Sequence, residues 1–180
     1  MRRATIAGMT LAVATVLVTF DYTAEQPKSA GAGGDQAGAG AAHVIVAAED
    51  VRWADAPSLP PGAKTALLEG DPKAEGFFTM RAKLPANYRI PAHWHPVAER
   101  VTVLSGKLHL GMGERFDDSA GTVLAAGGYA SMPAGMRHFA WTEGETILQI
   151  STIGPWGINY VNPADDPRKS AAAGAESPKR

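Results

Sequence analysis

The segment from Pro91 to Gly106 constrains this chain most, because it carries two histidines and a glutamate in the pattern H-x-H-x3-E. Side chains alternate between the two faces of an extended strand, so His93 and His95 are expected to point to the same side. The residues between His95 and Glu99 leave room for a turn that returns the carboxylate to the two rings. The spacing therefore predicts that these three side chains meet at one ion.

Imidazole nitrogen and carboxylate oxygen suit one divalent transition metal, Fe or Mn before Ni, Cu or Zn, better than Ca or Mg. His138, downstream in PAGMRH, is the fourth candidate ligand. Four ligands leave about two positions of an octahedral ion open to water, dioxygen or substrate, which is typical of a catalytic site. The alternatives are a solvated turn carboxylate for Glu99 and a hydrogen-bonded residue at a strand start for His138.

The segment GGYASMPAGMRH, from Gly127 to His138, predicts a short strand, a turn and a return strand. Pro133 fixes its own φ and Gly135 permits a positive φ, so the turn has a conformational basis. Its consequence is a histidine delivered at the start of a strand.

Together the two segments resemble the two sequence motifs of the cupin superfamily. The matching positions are His93, His95, Glu99 and Gly106 in the first motif, and Gly127, Pro133, Gly135 and His138 in the second. Asn87 stands where the family has a glycine, a modest change because Asn also tolerates a left-handed conformation. Thr142 stands where the family has an asparagine, and neither departure touches a candidate ligand.

The domain as a whole is also similar to a group of small exported bacterial cupins. This resemblance covers about residues 45 to 168. The strings that carry this second resemblance are VRWADAPSLPPGAK, HLGMGERFD, GMRHFAW and GPWGINYVNPADDPR. It implies the fold and the metal site but no single reaction, since cupins include dioxygenases, decarboxylases, isomerases, storage proteins and metal-free sensors.

Short apolar runs separated by turn residues, with no sustained helical period, predict an all-β fold. We expect a jelly-roll barrel, the double-stranded β-helix of cupins. The predicted strands are His43–Ala47, Lys64–Glu69, Phe77–Leu84, Tyr88–His93, Val101–Leu104, Lys107–Met112, Thr122–Leu124, Tyr129–Met132, His138–Trp141, Thr146–Thr152 and Gly157–Tyr160.

Strand alternation sorts inward from outward side chains. His109 is expected to face out if Leu108 and Leu110 face the core, so it is not a predicted ligand. The predicted pocket lining is Met80, Tyr88, Ile90, Met132, Leu148 and Ile150. Trp94, Phe139 and Trp141 are predicted on the outer face, where an apolar patch needs a cover. A two-fold homodimer would supply it; the alternative is that His43–Val51 folds back over the same face.

The chain ends predict the compartment and the domain bounds. Arg2 and Arg3 precede an apolar run from Ala4 to Phe20, the order of a secretory signal. We expect a signal peptide over residues 1–24, with an uncleaved membrane anchor as the alternative, and an exported protein, periplasmic or secreted. Residues 25–42 are rich in Gly and Ala and predict a flexible linker. The cupin domain is expected over 43–166, followed by a disordered tail over 167–180.

Composition excludes some classes of binding partner and of metal ligand. A net charge of −1 without a basic patch argues against nucleic acid, and the absence of Cys excludes disulfides and thiolate ligands. The expected partner is a small molecule. The first hypothesis is a metal-dependent oxygenase acting on a small oxygenated organic molecule, with Glu99 as ligand or base. The alternatives are a non-catalytic cupin that binds a metal or small ligand, and a non-oxidative lyase or isomerase.

Limited proteolysis tests the predicted bounds. We expect trimming to about residues 43 to 166 with full retention of metal, because the flanks carry no apolar pattern that could dock on a barrel. Mass spectrometry of the fragments and metal analysis of the trimmed protein are the measurements. Loss of metal on removal of residues 25–42 would contradict the prediction.

Overall fold

The structure is a computed structural model and describes residues 43–169. The predicted signal peptide, the linker and residues 170–180 of the predicted tail lie outside the described residues. Within the described part, no helix is long and apolar enough to cross a membrane. The domain bounds at 43 and 166 therefore stay predictions.

Eleven strands and two short 3-10 helices make up the described fold. The strands are β1 Ala54–Asp55, β2 Lys64–Glu69, β3 Gly76–Leu84, β4 Arg89–Trp94, β5 Glu99–Ser105, β6 Lys107–Met112, β7 Gly121–Ala125, β8 Tyr129–Met132, β9 His138–Trp141, β10 Thr146–Gly154 and β11 Asn159–Tyr160. The 3-10 helices are Ala48–Asp50 and Pro163–Asp165.

The strands form two antiparallel sheets that face each other across one apolar core. The first sheet has the order β1-β2-β3-β10-β5-β8 and the second β11-β4-β9-β6-β7. Neighbours in each sheet are mostly distant in sequence, as β10 between β3 and β5 shows. This is the jelly-roll barrel of the cupin fold, so the predicted fold class is confirmed.

Every predicted strand from Lys64 onward is confirmed, with ends shifted by at most two residues. The predicted strand His43–Ala47 is wrong. Val44, Ile45 and Val46 have high strand propensity, but they are exposed and pair with no described strand. Propensity for a strand is realised only when a neighbouring strand accepts the backbone hydrogen bonds. The sequence also gave no signal for the two-residue strand β1.

Strand alternation fills the space between the sheets. On β3, Phe78, Ala82 and Leu84 point inward and are buried, whereas Phe77 is exposed on the outer side. Leu148 and Ile150 of β10 continue the same inner layer. Inward positions therefore supply both the core and the walls of a pocket at one end of it.

The turn between β3 and β4 depends on Asn87 and Thr142, the two residues that depart from the cupin motifs. Asn87 has φ 55°, so asparagine does occupy the left-handed conformation at the position of the family's glycine. The neighbouring Thr142 hydroxyl donates to the carbonyl of Pro85 at 2.6 Å and accepts from the Tyr88 amide at 3.1 Å. Thr142 thus ties the end of β9 to the turn between β3 and β4.

The predicted outer aromatic patch is covered within the chain. Phe139 is only 1% exposed, and its ring lies 5.2 Å from that of Phe116, in the connection between β6 and β7. Phe116 also contacts Trp141, at 5.6 Å between ring centroids. Glycines make room for this packing, because a Cβ at Gly111 or Gly121 would collide with the Phe139 or Trp141 ring.

Neither cover that the sequence suggested is therefore needed over Phe139 and Trp141. The segment that packs on them is the connection between β6 and β7. No periodic pattern in the sequence predicted that its aromatic residue, Phe116, would pack there. Trp94, the third predicted patch residue, is half-buried. The homodimer stays a prediction, without this patch as its basis.

Gly106 offers a test of the turn between β5 and β6. Its φ is 77°, and a Cβ there would collide with the Glu145 carbonyl oxygen. We expect Gly106→Ala to lower the free energy of unfolding by about 1 to 3 kcal/mol through backbone strain, with the clash adding to it. Urea unfolding followed by circular dichroism measures this. Gly144→Ala is the control, since its Cβ would meet nothing within 4 Å; equal effects would contradict the prediction.

Candidate metal centre

The four candidate ligands come from both sheets. His93 on β4 and His138 at the start of β9 are direct cross-strand partners. His95 lies one residue beyond the end of β4, and Glu99 begins β5 in the opposite sheet. The cluster therefore sits between the sheets, and its assembly requires the barrel to be closed.

The side chains converge as the spacing predicted. The ring centroids of His93 and His138 are 4.2 Å apart, and those of His93 and His95 are 5.1 Å apart. Candidate ligand nitrogens of the three histidines all lie within 4.8 Å of one another. Glu99 Oε2 lies 3.1 Å from His138 Nε2 and 3.4 Å from His95 Nε2. All four residues are buried.

The backbone fixes the orientation of all three rings. His93 Nδ1 bonds the carbonyl of Pro91 at 2.8 Å, His95 Nδ1 that of Gly157 at 2.7 Å, and His138 Nδ1 that of Met136 at 3.0 Å. A carbonyl oxygen can only accept, so each Nδ1 must carry the proton. In the neutral ring each Nε2 is then a free lone pair, available to a metal.

One of these nitrogens has no other use. His95 Nε2 is buried and, among the described residues, has no hydrogen-bond partner. A buried polar atom without a partner costs free energy, unless a ligand satisfies it. An electron-pair acceptor at the cluster would satisfy it. The residues present therefore fit a divalent transition metal bound through three imidazoles and one carboxylate.

Protonation equilibria describe the metal-free cluster. Burial, together with the neighbouring His138 and His95, lowers the pKa of His93 to about 3. Burial alone would raise the pKa of Glu99, but the nearby His95 and His138 outweigh it and hold that pKa well below its usual range. Burial opposes protonation of His138, yet its bond to Glu99 raises the His138 pKa. Glu99 therefore stays a carboxylate, and His93 stays neutral.

A second segment orients His95. The ring of Trp156 stacks on the His95 ring at 4.0 Å with an interplanar angle of 15°. Gly157, the next residue, supplies the carbonyl for His95 Nδ1. Sequence reasoning missed this role, although both residues belong to the string GPWGINYVNPADDPR. The contact is long-range, and the spacing around His95 contains no information about it.

The turn of the second motif also reaches the first. Gly135 has φ 76°, and its amide donates to the carbonyl of His95 at 2.9 Å. The turn predicted from Pro133 and Gly135 thus delivers His138 to β9 and holds the backbone of His95. Both motifs are joined by this hydrogen bond.

A pocket of about 520 Å³, including its open mouth, reaches this cluster from one side. It is lined by Ser58, Leu59, Thr65, Met80, Ala82, Leu84, Ile90, His93, His95, Glu99, Leu148, Ile150, Trp156 and Ile158. Four of the predicted lining residues are among them: Met80, Ile90, Leu148 and Ile150. Met132 lines a smaller recess beside His138 instead. Tyr88 does not line the pocket.

Tyr88 has a different role, beside the segment that contributes Ser58 and Leu59 to the pocket lining. Its hydroxyl donates to the carbonyl of Pro60, and the Tyr160 hydroxyl donates to the carbonyl of Ser58 at 2.9 Å. Burial raises the pKa of both hydroxyls above the ordinary value, so both remain donors. The lining segment is therefore tied to the residue before β4 and to β11.

His109 lies outside the cluster, as predicted. Its ring stacks on that of Trp141 at 4.7 Å on the outer side of the barrel. Its Nε2 is 3.2 Å from a carboxylate oxygen of Glu143. His109 thus belongs to the outer aromatic layer.

Comparison with solved structures supports the fold. The polyketide cyclase RemF from Streptomyces resistomycificus is similar with a TM-score of 0.58 at 18% identity, covering 73% of this chain and 94% of that one. A putative acetylacetone dioxygenase from Methylibium petroleiphilum has a TM-score of 0.53 at 20% identity, over 73% and 94%.

A search of curated proteins by sequence found no match. Residues 44–173, in contrast, match the protein family described as "Domain of unknown function (DUF4437)". That match spans the barrel, both motifs and the segment that orients His95. The chain therefore belongs to the DUF4437 family, and its fold is that of the cupins.

Proposed function

We propose that this protein is a metal-dependent cupin enzyme that oxygenates a small organic molecule bearing adjacent oxygen atoms. His93, His95, Glu99 and His138 would hold one divalent transition metal, Fe or Mn before Ni, Cu or Zn. Such an ion would supply Lewis-acid chemistry toward the oxygen atoms of a substrate and the redox chemistry that an oxygenation requires.

The observation that carries the proposal is the set of three Nδ1 hydrogen bonds to backbone carbonyls. They fix the tautomers so that three Nε2 lone pairs and one carboxylate face one point. A structural site would be closed by its four ligands, whereas this cluster borders a pocket with an open mouth. A ligand cluster that borders an open pocket favours catalysis over storage of a metal.

Glu99 is the residue to which we assign a proton-transfer role. Its carboxylate lies at the pocket wall, 3.1 Å from His138 Nε2. Because it is ionised, this carboxylate could accept a proton from an acidic hydroxyl or enol of the substrate once the substrate displaces it from the ion.

The competing proposal is a non-oxidative reaction on the same kind of substrate. The names of two similar structures correspond to an oxidative and a non-oxidative reaction, since one is a putative acetylacetone dioxygenase and the other a polyketide cyclase. Oxygenation consumes dioxygen, and ring closure or isomerisation does not. A non-catalytic binding protein would hold the molecule unchanged.

Metal content tests the site. Untagged protein is expected to hold about one transition-metal ion per chain, with ligand distances of about 2.0 to 2.3 Å. His93→Ala and His95→Ala should each reduce the metal content to near zero and lower the melting temperature, because an ion bound only to the folded form stabilises it. Elemental analysis and calorimetry measure both effects.

His109→Ala is the matched control for those variants, since it removes an imidazole from the outer layer. It should keep the metal content of the parent protein. The site assignment fails if His109→Ala loses metal as His93→Ala does, or if His93→Ala keeps it while folded.

Oxygen uptake tests the reaction type. Metal-loaded protein should consume dioxygen with at least one member of a panel of catechols, diketones and flavonols. Glu99→Gln should lower kcat by about a hundredfold or more, the range for loss of a general base. Its metal content is measured alongside, so that loss of the base and loss of the ion are told apart. Product formed at equal rate without dioxygen would favour the non-oxidative alternative.

A further inference from the structure

The wall of the pocket is apolar over most of its surface. Its aliphatic and thioether side chains are Leu59, Met80, Ala82, Leu84, Ile90, Leu148, Ile150 and Ile158. Ser58 and Thr65, both half-buried, add hydroxyl groups. Among the described residues that line this pocket, none is Lys or Arg. A second anionic group on a ligand would therefore meet no cation in the wall.

The charge of the cluster sets how much negative charge a ligand can bring. A carboxylate that binds an ion contributes one negative charge, and three imidazoles that bind it through Nε2 are neutral, since each Nδ1 keeps its proton for a backbone carbonyl. A divalent ion would leave the cluster with one positive charge. One deprotonated oxygen neutralises it, whereas a dianion leaves a buried negative charge without a partner, which is costly in an apolar site.

We infer that the pocket selects molecules that are apolar apart from two adjacent oxygens and bring a single negative charge to those oxygens, for instance by losing one proton on binding. The inference rests on the proposed metal function and deepens it. Molecules that carry a carboxylate or phosphate in addition to the two chelating oxygens are excluded as good ligands by the same charge balance.

Two hydrogen bonds limit how the pocket could adapt to a charged ligand. The Tyr88 and Tyr160 hydroxyls donate to the carbonyls of Pro60 and Ser58, which flank the lining residue Leu59. Moving this segment aside to admit water would break two hydrogen bonds from buried donors. The ligand is therefore expected to bind in the apolar surroundings that the structure shows.

Two hydroxypyrones provide a matched pair of probes. Allomaltol and comenic acid share the chelating oxygens and differ only in a methyl group against a carboxylate. Calorimetric titration of the protein loaded with Zn²⁺, which avoids redox chemistry, gives both affinities, and each is divided by the affinity of the same probe for free Zn²⁺. We expect this normalised ratio to favour allomaltol by about tenfold or more. A ratio of one, or in favour of comenic acid, overturns the inference.

Variants on β2 test whether the lack of a cation in the pocket wall causes the preference for allomaltol. Thr65→Lys places a cation in the pocket wall, and Leu67→Lys places one two residues away at a side chain that is 52% exposed and does not line the pocket. Thr65→Lys should bring the ratio toward comenic acid, and Leu67→Lys should leave it unchanged. Equal ratios in folded Thr65→Lys and the parent protein overturn the inference. If Thr65→Lys does not fold, Leu59→Lys replaces it, because Leu59 lines the same pocket.

Metal content separates this inference from the proposed function. A chain that holds Zn²⁺ at one ion per molecule but binds neither probe overturns the substrate class and leaves the metal site standing. A chain that takes up no transition metal overturns both.

Discussion

The chemistry of this barrel depends on three backbone carbonyls. Those of Pro91, Gly157 and Met136 each accept a hydrogen bond from a histidine Nδ1–H, which leaves the three Nε2 atoms with lone pairs inside the buried cluster. Two of the carbonyls lie two residues before the histidine they hold, so the local strand geometry is enough to set them. The third, Gly157, is distant in sequence. The cluster is thus partly local and partly a product of the closed fold.

Burial and charge act together at this cluster. Its four side chains are buried, which in an apolar barrel would ordinarily neutralise a carboxylate. Instead two imidazoles within 3.4 Å keep the pKa of Glu99 low. The arrangement keeps a negative charge where a cation would be stabilised most. An apolar wall strengthens that interaction, because it lowers the effective dielectric around the charges.

How much the sequence could predict follows from the range of each interaction. The meeting of His93 and His95 comes from strand alternation, and the positive φ of Asn87 from the conformational tolerance of asparagine. Trp156 and Phe116 were missed because each contact joins segments whose spacing carries no periodic signal. The strand predicted at His43–Ala47 failed for the opposite reason. Its local propensity is strong, but no described strand pairs with it.

The same distinction separates the metal centre from the pocket. The ligands are set by short motifs, so another chain with these motifs could assemble the same cluster on another wall. The wall is set by inward residues of β2, β3 and β10 and by the segment around Leu59, which two tyrosine hydroxyls hold. Metal chemistry and ligand choice can therefore change independently in this fold. The wall formed by the described residues supplies no cation to the pocket, so the charge on the ligand must be balanced at the cluster itself.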